Sequence, residues 1–171
     1  GYLFDPVKAK EAFHAASEIA HACGRKVSIS LSDPFCVDRH RADFLDFVAR
    51  HTDILFANEH EIMSLYQTKT FDEAIAAVKG HCEIAVLTRS AKGSVVVSGD
   101  KVIEIAAEPV AKVIDTTGAG DQYAAGFLYG YTHHMPLHAC GRLGSMAAAE
   151  VISHMGPRPA VRYSEFLKEA A

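Results

Sequence analysis

The sequence predicts an α/β layer sandwich: a mostly parallel sheet covered by helices, with a β-hairpin at one edge. Apolar runs alternate along the chain with segments of helical periodicity, which is typical of βα units. The runs at 53–57 (DILFA) and 84–88 (IAVLT) are apolar at four of their five positions, as expected of parallel strands that are buried on both faces. Residues 94–106 read as two strands joined by Gly99-Asp100, which indicates a hairpin.

The first half of the chain contains four predicted helices and two predicted strands. Asp5 is expected to cap a helix that begins at Pro6 and ends before Gly24, following an apolar stretch that resembles the tail of a strand. Thr70 and Glu73 have the spacing of a capping box. The predicted helices cover residues 6–23, 39–50, 58–66 and 70–79, and the predicted strands cover 26–31 and 53–57.

The second half adds the hairpin and two longer helices. The predicted strands cover residues 84–88, 94–98, 101–106 and 110–114. A helix is expected over 119–132, and another begins at Pro136 and is closed by the Met155-Gly156-Pro157 segment. Ser164 is expected to cap a last short helix.

Composition excludes several classes of protein. The 171 residues carry 17 Lys and Arg against 21 Asp and Glu, a net charge of −4 with no basic block, which argues against nucleic-acid binding. No apolar run approaches the ~18 residues of a membrane span. The four cysteines are dispersed, which indicates reduced thiols in a cytoplasmic protein. Because the chain starts with Gly1 inside a predicted βα unit, we expect it to be a C-terminal portion of something longer.

The most informative motif is DTTGAGD at residues 115–121, between a predicted strand and a predicted helix. Gly118 and Gly120 let the backbone approach a ligand, and the N–H groups of the first helical turn form an anion site suited to phosphate. Tyr123 excludes the GxGxxG fingerprint, and no GK[ST] follows. A carboxylate at Asp121 would repel a bound phosphate but could serve as the base in phosphoryl transfer. The alternative is that Asp121 complements the helix dipole.

This motif resembles the C-terminal signature of the ribokinase/adenosine kinase (PfkB-type) carbohydrate kinase family. The similarity extends from Gly1 to the region of Pro159. It is closest to the adenosine kinase-like branch at SDPF (32–35), LFANEHE (55–61) and GPRP (156–159). The resemblance implies a ribokinase-like three-layer α/β/α sandwich, incomplete at its N-terminus. Residues 1–171 would then be the C-terminal ATP-binding portion of a single domain, without the N-terminal half that holds the acceptor and the lid.

The resemblance implies ATP-dependent phosphoryl transfer to a hydroxymethyl group of a sugar or nucleoside. Asp121 matches the catalytic base, and Gly118, Ala119 and Gly120 match the anion hole, the set of backbone N–H groups that face the transferred phosphate. No nucleic-acid or membrane partner is expected. The resemblance also implies a homodimer, which in this family commonly forms through the lid strands that these 171 residues would lack.

Asn58 and Glu61 match the family's N-x-x-E element, which lies near the phosphates of the nucleotide and organises Mg²⁺, often through water; the resemblance thus implies nucleotide binding for Asn58 and a Mg²⁺ role for Glu61. The same spacing is an ordinary capping pattern, and both roles can coexist. Asp115 and Thr117 match the first ligands of a monovalent cation such as K⁺. The alternative there is an Asp/Thr turn that bonds its own backbone.

Two further elements match nucleotide-binding parts of the family. Thr88, Ser90 and Gly93 fit the form T-x-G-x-x-G, with Ser90 in place of its first glycine; a plain strand-to-hairpin turn is the alternative. Gly141, Ser145 and Ala148 lie on a helix of small residues that would line the adenine pocket, and Ser145 stands where an Asn is frequent. Close packing between helices explains the same small residues.

Two alternatives to a kinase stay open on the sequence. One is a nucleotide-binding fragment without catalytic activity of its own. The other is a pyridine-nucleotide oxidoreductase domain, whose fingerprint and following acidic residue do not fit around Gly118. The ten histidines do not indicate a metal site, because none has a four-ligand zinc spacing.

Overall fold

The computed structural model describes residues 1–167. Its helices are α1 (Val7–Ala22), α2 (Pro34–His51), α3 (Glu59–Tyr66), α4 (Phe71–Val78), α5 (Ala119–Thr132) and α6 (Leu137–Val151). Its strands are β1 (Ser28–Ser30), β2 (Ile54–Asn58), β3 (Ile84–Thr88), β4 (Ser94–Ser98) and β5 (Lys101–Ile105). The strands are hydrogen-bonded in the order β1-β2-β3-β4-β5. The predicted fold class, a mostly parallel sheet with helices and a hairpin, is confirmed.

The chain forms two compact units. The first comprises residues 1–87 with 97–101, and the second comprises residues 88–96 with the described residues from 102 onward. In the first unit β1 pairs in parallel with β2, with Ile29 opposite Leu55. Its aromatic core includes Phe4 and Phe44, whose ring centroids lie 4.3 Å apart. The capping box of Thr70 and Glu73 at the start of α4 is confirmed.

In the second unit α5 packs along α6. The approach is close: a Cβ added at Gly126 would lie 2.5 Å from the carbonyl oxygen of Leu143. Leu143 and Met146 of α6 form a small apolar core with Met135, Phe166 and Leu167. Among the described residues, no helix combines the length and the apolar character needed to cross a membrane.

Three predictions on the first unit were wrong. Residues Tyr2–Phe4 form a 3₁₀ turn rather than a strand end. Asp5 does not cap α1, because its carboxylate pairs with Arg39 and His40 of α2. Helix α2 begins five residues earlier than predicted, at Pro34, where the Asp33 side chain accepts a hydrogen bond from the N–H of Cys36.

The second unit departs from the sequence at two places. Residues 110–114 form no strand, and the N–H of Ile114 instead donates to the carbonyl of Ile152. Ser164 lies within a 3₁₀ turn, Tyr163–Glu165, rather than at a helix N-cap. Residues 168–171, which follow this turn, lie outside the described residues. The hairpin strands and α5 were predicted with nearly their observed bounds.

Candidate active site

The N-terminus of α5 is capped by backbone geometry alone. Gly118 is the N-cap residue, with a left-handed backbone (φ 80°, ψ 1°), and no side chain caps this end of the helix. The N–H of Ala119 donates to the carbonyl of Thr116, 3.2 Å away. The next two amides, of Gly120 and Asp121, therefore meet no capping side chain among the described residues. This is the geometry of a helix-terminal anion site.

Two requirements make Gly118 a glycine. Its positive φ is a region that residues with a side chain seldom adopt. A Cβ added there would also lie 2.7 Å from the Cβ of Pro157. Gln122 reinforces this contact, because its side-chain amide donates to the carbonyl of Pro157 over 3.1 Å and its carbonyl accepts from the hydroxyl of Tyr163 over 2.9 Å. The loop before α5 is thus held against the segment that follows α6.

Asp115 organises the loop from its other end. One carboxylate oxygen accepts hydrogen bonds from the N–H of Thr117 at 2.9 Å and from its hydroxyl at 2.7 Å. The other oxygen accepts from the N–H of Gly156 at 3.0 Å. These bonds, the Thr117 hydroxyl first among them, lower the pKa of Asp115. The self-bonded turn is therefore present, and a role for Asp115 and Thr117 as cation ligands stays a prediction.

Asp121 lies in the first turn of α5 and is exposed. Its position, one residue beyond Gly120, puts a carboxylate at the edge of the amide cluster that would hold a phosphate. The structure thus brings the predicted base and the three predicted anion-hole residues together in one helical turn. What they bind or catalyse is not decided by this geometry alone.

A cleft of about 570 Å³ opens in the second unit, within the size range of small-molecule and cofactor sites. It reaches the start of α5 through Thr116 and Ala119, and Tyr123 also lines it. Five of the predicted nucleotide-binding residues line this cleft: Thr88, Ser90, Gly93, Ser145 and Ala148. The rest of its lining is Ala91, Ala107, Glu108, Pro109, Val110, Val113, Ala149 and Ile152.

The turn after β3 keeps glycine-like geometry despite the serine at position 90. Ser90 has a left-handed backbone with φ 52°, and Gly93 has φ 85°. A Cβ on Gly93 would lie 2.1 Å from the carbonyl oxygen of Ile105. The conformation that a first glycine would adopt at position 90 is therefore retained by a serine.

The small residues of α6 serve two different purposes. Ser145 donates to the carbonyl of Ala106 at 3.2 Å and accepts from the N–H of Glu108 at 3.1 Å, which ties α6 to the segment after β5. Gly141 is not among the described residues that line the cleft; its position faces Ile105 and the hydroxyl of Tyr123. Close packing, the alternative given by the sequence, accounts for Gly141, and its nucleotide role stays a prediction.

Tyr123 is a site residue whose role the sequence did not indicate. Its hydroxyl lies 2.6 Å from that of Ser94, and both residues are buried. A Cβ on Gly144 would lie 2.8 Å from the Tyr123 ring, so this glycine leaves room for the ring. Burial raises the pKa of Tyr123 to about 12. Tyr123 thus anchors the second turn of α5 to the start of β4.

The first unit carries the Asn58–Glu61 element at the end of β2. Both oxygens of Glu61 accept hydrogen bonds from Asn58, one from its N–H at 2.8 Å and one from its side-chain amide at 2.6 Å. The side chain of Asn58 in turn accepts from the N–H of Glu61, which completes a capping box on α3. Burial raises the pKa of Glu61, and only 4% of the residue is exposed. With both oxygens engaged, a metal would meet this carboxylate most readily through water, as Mg²⁺ often does.

No group of three or more His, Cys, Asp or Glu residues capable of holding a metal ion occurs in residues 1–167.

Comparison with known proteins decides the family. The pattern of the pfkB family carbohydrate kinases matches residues 1–162. The chain belongs to this family. It superposes on the structure of a probable sugar kinase from Rhizobium etli CFN 42 with a TM-score of 0.95 and 48% sequence identity. The match covers 99% of this chain and 52% of that one. An adenosine kinase from Sinorhizobium meliloti gives a TM-score of 0.95 and 46% identity over the same shares.

A curated relative agrees on the kinase family. A nucleoside kinase from Methanocaldococcus jannaschii is 38% identical over 109 residues, which are 64% of this chain and 35% of that protein. The pfkB-family chain therefore spans about half the length, or less, of these relatives.

Proposed function

We propose that the protein containing this chain transfers the γ-phosphoryl group of ATP to a hydroxymethyl group of a nucleoside, and that this chain supplies the ATP-binding portion. The carrying observation is the start of α5, where Gly118 opens a helix that no side chain caps and Asp121 stands in its first turn. The acceptor-binding half and the lid would lie outside residues 1–171. The cytoplasmic location and the homodimer remain predictions.

The proposed chemistry follows from the groups in that turn. The carboxylate of Asp121 accepts the proton of the acceptor hydroxyl as its oxygen attacks the γ-phosphorus. A new O–P bond forms, the bond to the bridging oxygen of ADP breaks, and ADP leaves with that electron pair. The anion hole at residues 118–120, where the N–H of Gly120 meets no capping side chain among the described residues while that of Ala119 also bonds the carbonyl of Thr116, would act with the positive end of α5 to stabilise the charge that develops on the transferred group.

The cations are assigned by the family resemblance. Glu61, positioned by Asn58, would organise the Mg²⁺ that accompanies the phosphates. A divalent ion held there would supply charge neutralisation at the phosphates. Asp115 and Thr117 would contribute to a K⁺ site beside the anion hole.

A nucleoside is the first candidate acceptor and a free sugar is the second. The nucleoside is favoured by the likeness to a protein described as an adenosine kinase, at 46% identity. The sugar is kept because a protein of similar likeness is described as a probable sugar kinase. A nucleotide-binding protein without phosphoryl transfer is the alternative from another class.

The test is ADP release by the full-length protein with Mg·ATP and each of adenosine, other nucleosides, ribose and fructose. Turnover that depends on one acceptor, and that falls by about 10²-fold or more in Asp121→Asn, supports the proposal. ATP binding without release of ADP for any acceptor would favour the binding protein. Turnover indifferent to Asp121→Asn would remove the assigned base.

A further inference from the structure

The segment that follows α6 is tied to the elements around the start of α5, and we call its residues 156–163 the strap. At one end the N–H of Gly156 donates to the carboxylate of Asp115 over 3.0 Å. Further along, the N–H of Ala160 donates over 2.8 Å to Glu150 of α6, whose side chain is 10% exposed. The strap is therefore fixed both to the loop before α5 and to α6.

Gln122 ties the strap at two further places. Its side-chain nitrogen donates to the carbonyl of Pro157 over 3.1 Å, and its side-chain oxygen accepts from the hydroxyl of Tyr163 over 2.9 Å. A carbonyl oxygen can only accept, so the nitrogen of the carboxamide has to face Pro157. A carboxamide supplies the donor and the acceptor from one group, whereas an ionised carboxylate only accepts and a thioether has no donor.

The same residue also holds the N-cap of α5. The backbone N–H of Gln122 donates to the carbonyl of Gly118 over 2.9 Å, which is the bond that an N-cap carbonyl accepts. Pro157 lies against Gly118, since a Cβ at Gly118 would meet the Cβ of Pro157 at 2.7 Å and its Cα at 3.1 Å. Gln122 therefore fixes Gly118 directly through the backbone and indirectly through Pro157.

We infer that Gln122 is a positioning residue of the reaction: by holding the strap on Gly118, it keeps the backbone amides that follow Gly118 aimed at the transferred phosphoryl group. The inference rests on the proposed function, because it gives a supporting role to the neighbour of the proposed base. Such amides stabilise a transition state when they are oriented beforehand. A displacement of about 1 Å at a catalytic site can reduce the rate about 10²-fold. Tyr163 acts through Gln122, because its hydroxyl bonds the carboxamide.

The experiment measures ADP release and urea unfolding of the full-length protein, with Mg·ATP and the acceptor that gives turnover. Gln122→Met keeps the length of the side chain and removes both of its hydrogen bonds, so we expect kcat to fall by about 10- to 100-fold. KM for ATP should change by less than about threefold, because the misplaced amides weaken the transition state more than they weaken bound ATP.

Thr132→Val is the matched control, at the opposite end of α5. The hydroxyl of Thr132 is exposed and donates to the carbonyl of Leu128 over 2.8 Å. The variant therefore loses a hydrogen bond of the same helix without touching the strap. We expect it to keep the kcat of the wild type.

A second variant tests the route through Tyr163. Tyr163→Phe removes the hydroxyl and keeps the ring, which stacks on Phe166 with 5.3 Å between the centroids. We expect kcat to fall by about 3- to 10-fold with KM for ATP kept. The double variant with Gln122→Met should fall no further than Gln122→Met alone. If Gln122→Met does not fold, the kcat and KM of Tyr163→Phe decide the inference.

The outcomes that overturn the inference differ from those that overturn the proposed function. A kcat of Gln122→Met within about twofold of wild type, with turnover still lost in Asp121→Asn, shows that Gln122 contributes only to stability or to ATP binding, and leaves the proposed function intact. Losses that simply add in the double variant show that Tyr163 does not act through Gln122. Absence of ADP release by the wild type with every acceptor overturns the proposed function together with the inference.

Discussion

Replacing Gly118 by alanine separates the cost of its backbone conformation from the cost of its contact with Pro157. Gly80 offers a matched control, because its φ of 79° lies within one degree of the 80° of Gly118, while a Cβ at Gly80 meets nothing within 4 Å. The left-handed conformation alone should lower the free energy of unfolding by about 1–2 kcal/mol in Gly80→Ala. Gly118→Ala carries the same cost, and in addition its Cβ starts 2.7 Å from the Cβ of Pro157.

Relief of that second contact requires the start of α5 to shift by roughly 1 Å, a displacement that can reduce turnover about 10²-fold at a catalytic site. We therefore expect Gly118→Ala to unfold at lower urea than Gly80→Ala and to lose turnover, while Gly80→Ala keeps it. Urea unfolding followed by circular dichroism and ADP release in the full-length protein measure the two effects. If both variants keep full turnover, or both lose it alike, the reaction does not depend on the position of the backbone amides at the start of α5.

Three further predictions test single contacts. Glu61→Gln should keep the backbone bonds of the capping box, since glutamine also serves at this position, but its single carbonyl oxygen cannot also accept from the side-chain amide of Asn58. The variant should remove the decline in the free energy of unfolding that wild type shows as the pH rises toward the raised pKa of Glu61. A higher Mg²⁺ requirement in its ADP release would support the metal role, and unchanged turnover would leave capping alone. Tyr123→Phe should lower the free energy of unfolding by about 1–3 kcal/mol, because the buried Ser94 hydroxyl loses its partner. Urea titration should show that the double variant with Ser94→Ala is little less stable than Tyr123→Phe alone. If the losses of the two single variants simply add in the double variant, the pairing is contradicted. Ser90→Gly should raise the free energy of unfolding by up to about 1 kcal/mol, because glycine adopts the left-handed backbone of this position without strain. Urea titration should then give a higher midpoint than wild type, and a lower midpoint would contradict the strain.

Local signals in the sequence predicted most of the elements that surround the site. The Gly99-Asp100 turn fixed the hairpin, and the glycines before α5 marked the start of that helix within one residue. Both predictions are confirmed because the type of a turn and the end of a helix depend on residues within a few positions. For the same reason the capping box at Asn58 could be expected, although spacing alone cannot separate a cap from a metal-organising carboxylate.

The failures share a different cause, which is competition from distant residues. Asp5 has the right type and place for an N-cap, but Arg39 and His40 offer its carboxylate stronger partners. Helix α2 was predicted too short at its start, where the backbone of His40 departs from helical geometry (φ −123°, ψ 24°) and its ring bonds the distant Asp5. The predicted strand at 110–114 is apolar enough, but its partner is the end of α6 rather than another strand.

The same limit applies to the candidate site. DTTGAGD pointed to the turn that carries Asp121, because all of its parts are contiguous. The partnership of Tyr123 with Ser94 joins residues that are 29 positions apart, and no local pattern announces it. The purpose of Gly141 became visible only with Tyr123 and Ile105 in place around it.

The fit of the Tyr123 ring against Gly144 has a consequence for motion. Where side chains separate two helices, each helix can open to solvent by itself; here a ring of α5 rests directly on the backbone of α6. We expect the amides of the two helices to exchange with deuterium as one cooperative unit, with a common free energy of opening. The helix that carries the proposed anion site and the helix that lines the cleft would then share a single lifetime in the closed state.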